Sequence, residues 1–245
     1  MEWPGGELEE RKVGTPQGGV ISPLLANLFL HYAFDRWVSE HLTGVPFCRY
    51  ADDGVLHCKS KVQAELVMRR ITARFEACGL RVHPDKTRII YCKDSNRKED
   101  HPVTSFTFLS YTFRPRKAKD KYGRIFSSFT PALSKESLKT IRQTIRRWHL
   151  QVKSDLQMLD LSKLYNPVLR GWKNYFCRFN ADAMAPVWHH VNLFLTRWLM
   201  RKYQKLAGRL KRTIAVLERM ARATPKAFVH WESGFIPKGW IMGAG

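Results

Sequence analysis

Apolar and polar positions run along this chain with two different periods, and the change of period organises it. Short apolar runs at Val45 to Tyr50 and Val55 to Lys59 flank Ala51-Asp52-Asp53-Gly54, which predicts two strands and a tight turn carrying adjacent carboxylates. Before that hairpin, Leu24, Leu25, Leu28, Phe29, Tyr32, Trp37 and Val38 keep helical spacing from Pro23 until Thr43-Gly44 ends the element. After it, Ser60 and Gln63 form a capping-box pattern that opens a helix through Leu66, Val67, Ile71 and Phe75, stopping at Gly79. Leu80-Arg81-Val82-His83 and Arg88-Ile89-Ile90-Tyr91 read as strand ends around Pro84-Asp85-Lys86-Thr87.

Phe106 to Phe113 is aromatic at alternate positions, as a half-buried strand should be. A basic loop, Arg114 to Lys121, then leads to a strand near Arg124 to Phe129. From Ser134 the helical period takes over. Leu138, Ile141, Ile145 and Trp148 mark one face of a first helix, and further helices are expected over 161–179, 185–205 and 210–222, a bundle of three or four. The fold class is therefore α+β, an antiparallel sheet with packed helices followed by an all-α bundle.

Composition adds a partner to this picture. The 245 residues are 44% hydrophobic, enough for a real core, yet 42 basic against 21 acidic side chains leave a formal net charge of +21. Such an excess points to a polyanion. Nucleic acid is favoured over membrane, since no apolar run approaches the roughly 20 residues of a spanning helix, and without a signal-peptide pattern a cytoplasmic location is expected. The charge is concentrated in residues 135–222, which hold 19 basic and only 5 acidic side chains. There Lys139, Arg142, Arg146 and Arg147 lie off the apolar face of the first bundle helix, as suits a nucleic-acid groove. Cysteines 48, 58, 78, 92 and 177 form no Cys-x-x-Cys pair and suggest neither a zinc module nor a disulfide framework.

The paired acids carry the candidate chemistry. Adjacent like charges raise each other's pKa unless a cation compensates them, and magnesium prefers carboxylate oxygen while keeping substrate phosphates in its remaining positions. Asp-Asp-Gly is also ordinary turn composition. Upstream, Gly14-Thr15-Pro16-Gln17-Gly18-Gly19-Val20-Ile21-Ser22-Pro23 combines a glycine loop with an abrupt helix start, Ser22 fitting the N-cap and Pro23 the first helical position. Glycines there let backbone N–H groups approach a phosphate or base closely.

Together with Tyr50-Ala51-Asp52-Asp53, that loop resembles the reverse transcriptases encoded by group II introns, whose motifs B and C the two blocks match in order. By this resemblance Asp52 and Asp53 hold magnesium, Pro16, Gln17, Gly18 and Gly19 line the template and nucleotide pocket, and Tyr50 and Ala51 support the primer end. Gly79-Leu80 to Lys86-Thr87 is similar to motif D, which places Lys86 near the leaving pyrophosphate. The aromatic stretch from Phe106 is similar to the primer-grip hairpin, with Arg114, Arg116 and Lys117 beside the primer strand. Gly171-Trp172-Lys173-Asn174-Tyr175-Phe176 resembles the signature of the maturase, or thumb, domain.

The resemblance implies a partial palm over 1–130, a thumb over 131–223 and a tail over 224–245. Its implied partners are intron RNA, an RNA template with DNA primer, and deoxynucleoside triphosphates. A complete member begins upstream, with fingers and a further palm aspartate. Here the acids before Tyr50 are Glu2, Glu7, Glu9, Glu10, Asp35 and Glu40, none in an apolar strand, so a two-ion magnesium site incomplete within this chain is expected. Three readings stay open: an enzyme completed by a separate amino-terminal half or dimer partner, a non-catalytic RNA-binding splicing factor, and an inactive remnant.

Overall fold

The computed structural model describes residues 18–237. The glycine loop runs into α1 (Ser22–Leu30), which continues through a π-helical segment, His31–Arg36, into α2 (Trp37–His41). Ser22 is already the first helical residue and Ile21 the cap, because the Ser22 N–H donates to Gly19 O in a preceding turn at 3.2 Å. No residue of α1 is buried; the inward face begins in the π segment with Ala33 and Phe34 and continues at Val38. Gly44, at φ +82°, turns the chain out of the helix.

β1 (Phe47–Tyr50) and β2 (Asp53–Leu56) then pair antiparallel with Tyr50 opposite Asp53. The connection is thus Ala51-Asp52 alone, shorter than the expected four-residue turn, and Ala51 accommodates it at φ 52°. α3 (Lys61–Ala77) starts where expected: Ser60 Oγ accepts from the Gln63 N–H at 3.2 Å, while Gln63 Oε1 accepts from the Lys59 N–H at 2.6 Å. Phe34, Val38, Leu42, Val45, Val67 and Ile71 form a small core between these elements, flanked by Phe47, Leu56 and Phe75. The strands expected around residues 84–87 do not form. Lys86 sits in an isolated turn closed by Thr87 N–H to His83 O at 3.0 Å, and no strand of the described residues offers that segment a ladder.

The chain divides after Ile90 into two compact units, Met1–Ile90 and Tyr91–Gly245. The second opens with a three-stranded antiparallel sheet, β3 (Phe106–Phe108), β4 (Tyr111–Lys119) and β5 (Ile125–Leu133), in that order. Phe106 to Phe113 is therefore two strands, not one: Leu109 and Ser110 both take positive φ, 47° and 67°, so Phe106 comes to stack on Phe113. The basic run is likewise strand through Lys119, because Pro115 and Ala118 find Phe129 and Phe126 opposite them on β5.

Behind the sheet, Ser134 Oγ caps α4 (Lys135–Arg147) by accepting from the Ser137 N–H. α5 (Met158–Phe176), α6 (Ala185–Lys202), α7 (Leu210–Ala223) and the short α8 (Val229–Glu232) complete the bundle. Trp188, Trp198, Leu161, Leu169, Leu195 and Leu199 fill its centre, and Tyr111 of β4 belongs to the same core. This is why the contact division falls before the sheet and not near residue 130. Residues expected to form a tail are core as well: Ala227 to Trp231 are all buried. Asn166 holds them by donating Nδ2–H to Ala227 O at 2.8 Å and accepting from the Val229 N–H at 3.2 Å. No helix among the described residues is long and apolar enough to cross a membrane.

Candidate functional site

The two carboxylates sit where the hairpin pattern puts them, Asp52 in the connection and Asp53 opening β2, both exposed. Tyr50, 64% exposed, and Ala51 share that tip. What fixes the tip is Arg49. Its guanidinium forks onto Asp35 of the π segment, Nε to Oδ1 at 2.7 Å and Nη2 to Oδ2 at 2.6 Å. Nη1 meanwhile reaches Ala51 O at 2.6 Å and Asn27 Oδ1 of α1 at 3.0 Å. One side chain thus ties helix, π segment and hairpin tip together, and it caps the carbonyl of the residue held at positive φ.

The electrostatics follow from that fork. The Arg49 guanidinium holds the Asp35 carboxyl below the usual range, partial burial opposing and His31 adding a smaller effect at 3.6 Å. Asp35 raises Arg49 in return. Asp35 is therefore committed to an ion pair and is not a spare metal ligand, in keeping with its helical position. Among the described residues no three His, Cys, Asp or Glu side chains gather as a potential cation site. The donor chemistry at the tip nevertheless fits a hard cation, since magnesium is usually held by one or two carboxylates and completed by substrate phosphates and water.

Of the glycine loop, Gly18 and Gly19 precede α1, with Gly18 at φ +84° and nothing within 4 Å of where a Cβ would stand; Pro16 and Gln17 lie outside the described residues. Lys86 is exposed in its turn.

The basic candidates of the second unit differ in availability. Arg114 and Lys117 project from β4 into solvent. Arg116 turns onto its own sheet, donating to Thr112 O at 3.0 Å and Thr130 O at 3.3 Å, and burial lowers its pKa. On α4, Lys139, Arg146 and Arg147 are exposed, and Arg142 is half-buried. Lys135, Leu138, Lys139, Arg142, Gln143 and Arg146 line one shallow groove of about 370 Å³.

Within the Gly171 to Phe176 stretch, Phe176 is buried in the core. Tyr175, 46% exposed, donates Oη–H to Leu109 O at 2.9 Å. Tyr111 Oη–H in turn donates to Tyr175 O, so the tip of the β3–β4 hairpin is pinned to α5 from both sides. Arg49, beyond its place before Tyr50, and Tyr175 as a clamp carry no local sequence signal, because both roles depend on contacts between distant segments.

Comparison with known proteins agrees with this arrangement. Residues 2–113 match the family model described as reverse transcriptase (RNA-dependent DNA polymerase), and residues 138–214 match that of the group II intron, maturase-specific domain. Protein YkfC of Escherichia coli (strain K12) is 31% identical over a match covering 46% of this chain and 35% of that protein. The chain thus spans about a third of the length of this curated relative. A reverse transcriptase domain followed by a maturase-specific domain, in that order and over most of the chain, makes it a member of the group II intron reverse transcriptase/maturase family.

Proposed function

We propose that the chain contributes the metal-holding hairpin and the RNA grip of an RNA-directed DNA polymerase that also supports splicing of its intron RNA. The observation that carries this is the tip of the β1–β2 hairpin, two exposed adjacent carboxylates on a turn whose carbonyl is locked by Arg49. Asp52 and Asp53 would hold magnesium. When bound, the ion supplies Lewis-acid stabilisation of the charge that develops in phosphoryl transfer. Tyr50 and Ala51 lie beside the carboxylates and support the end of a primer. Gly18 and Gly19, without side chains, leave their backbone open to template or nucleotide, and Lys86 serves the leaving phosphates. The partition into a palm through residue 130 and a thumb from 131 is part of this reading; by contacts alone, β3 to β5 group with the helices that follow them. Intron RNA, an RNA template with its DNA primer and deoxynucleoside triphosphates are the partners.

Magnesium-dependent primer extension on an RNA template tests this, first with the chain alone and then with a separately expressed fingers-and-first-palm fragment. Extension only with the fragment establishes that Asp52 and Asp53 work together with that part of the palm. A second reading, a splicing factor that binds RNA without polymerising, draws support from the concentration of 19 basic side chains in residues 135–222. Salt-sensitive RNA binding with no extension in either case selects it.

A further inference from the structure

α4 packs against α6, and at that contact basic side chains from both helices converge without any acid between them. From α4 come Arg142 and Arg146, and from α6 His190 and Arg197. Their charges all act on the His190 ring. Together with partial burial, Arg142, Arg146 and Arg197 push it down to about 4, while a backbone hydrogen bond at Arg142 opposes. Two polar atoms of the group are buried with no hydrogen-bond partner among the described residues, Arg142 Nε and His190 Nε2. Phe194 forms the floor: the His190 ring lies 5.0 Å from its centroid, and the Arg197 guanidinium 5.3 Å over the same ring.

Folding has thus gathered like charges and left the Arg142 Nε donor and the His190 Nε2 atom unpartnered, which costs stability in the free protein. An anion bound there would relieve both costs. We propose that Arg142, His190 and Arg197 form a two-helix clasp for one backbone phosphodiester of RNA, with Arg142 shared by the groove that Lys135, Lys139 and Arg146 line along α4.

An RNA phosphate fits better than a free anion, because the groove gives further cations at helical spacing for the next phosphates along a strand. Phe194 orients the clasp. The phosphate charge offsets the arginines, so the His190 ring takes up a proton as it binds and donates Nε2–H, while Arg142 and Arg197 supply the charge. The proposal rests on the reading that the basic unit binds RNA.

The test is the affinity of the full chain for a single-stranded RNA oligonucleotide, measured against salt concentration. The variants are Arg142→Gln, Arg197→Gln, their combination, His190→Phe, and Lys226→Gln, exposed and outside residues 135–222, as an outlying basic control. The clasp predicts that Arg142→Gln and Arg197→Gln each lower the log–log salt slope by about 0.7 and that the double variant lowers it by no more, since both serve one phosphate. His190→Phe, which keeps a ring on Phe194, weakens binding about tenfold, and Lys226→Gln leaves the slope within error. If the unmodified chain binds with a salt-dependent slope and the two arginine variants keep it, the clasp is overturned and the RNA-binding reading stands. If the unmodified chain shows no salt dependence, that reading fails and the clasp with it.

Discussion

Arg49 offers the sharpest perturbation, because one substitution removes every bond that fixes the candidate catalytic tip. Arg49→Met keeps much of the aliphatic stem and deletes the fork onto Asp35 and the bonds to Ala51 O and Asn27 Oδ1. Breaking a fully buried pair would cost about 3–5 kcal/mol, and an exposed one less than about 1 kcal/mol. The Arg49 and Asp35 side chains are 13% and 22% exposed, so solvent screens part of the interaction and a cost of about 1.5 kcal/mol is expected. Local opening of the hairpin would then be about tenfold more frequent. Hydrogen exchange of the β1 and β2 amides reads this directly. Arg49→Lys should recover only part of the protection, since an ammonium cannot form the fork.

The same pair sets a pH dependence. The Asp35 pKa is lowered in the folded chain, so its stabilisation is present above the unfolded value near 3.8 and is lost as pH falls through the lower folded value. Asp35→Asn should remove that acid-side loss. Unchanged exchange in Arg49→Met would refute the reasoning, showing that the tip is held by its own turn and not by the arginine.

Asp52→Asn should abolish magnesium-dependent extension in the complemented assay while leaving RNA affinity within a few-fold; loss of both together would make the acid structural. Replacing Leu109-Ser110 by Asn-Gly, the pair best suited to two positive φ angles, should stabilise the second unit by about 1 kcal/mol in thermal unfolding. His230 is buried and pushed down to about 3, chiefly by desolvation with His189 adding, so its contribution is present above about 6.5 and lost as pH falls below it. Between pH 7 and pH 5 it should account for about 2 kcal/mol of lost stability. His230→Gln, able to keep the bond to Asn192 Oδ1 that His230 makes at 2.8 Å, should remove that part of the acid sensitivity in melts at the two pH values.

The helices were legible because their signals are local. Ser60, Ser134 and the apolar faces at Val67 and Ile71 or Ile141 and Ile145 act within one or two turns of chain, and each forms as its spacing indicates. The hairpin acids were legible for the same reason. The larger misreadings concern segments whose state depends on distant partners. Leu80 to His83 has strand composition but no ladder, while Arg114 to Lys119 has loop composition and becomes strand because β5 lies opposite. Ala227 to Trp231 looked like an ending, yet Asn166 and Asn192, far back in the sequence, make it core. An apolar aromatic run at Phe228 to Trp231 was the available sign. The Arg49 fork left none, since an arginine and an aspartate fourteen positions apart are ordinary surface residues until a π-helical segment turns one toward the other.

Two of the three hairpins among the described residues, β1–β2 and β3–β4, use the same physical device. Each has a non-glycine tip at positive φ, Ala51 in one and Leu109-Ser110 in the other, a conformation that costs of order 1 kcal/mol or more per residue and would relax in an isolated hairpin. In each, hydrogen-bond donors outside the turn itself capture the tip carbonyls. Arg49, braced by Asp35 and Asn27, holds Ala51 O; Tyr175 holds Leu109 O, and Ser137 Oγ with the Ser134 N–H holds Ser110 O. Such bonds lock orientation as well as adding stability, since a two-residue connection can rotate only by giving them up. A tip that must present carboxylates or a primer-facing edge to a charged, flexible polymer gains from that lock, because the ordering is complete before the polymer arrives. The Tyr175 clamp also gives the Gly171 to Phe176 stretch a reason beyond core packing: its Phe176 anchors α5 in the bundle, and the adjacent Tyr175 uses that anchor to set the β3–β4 hairpin.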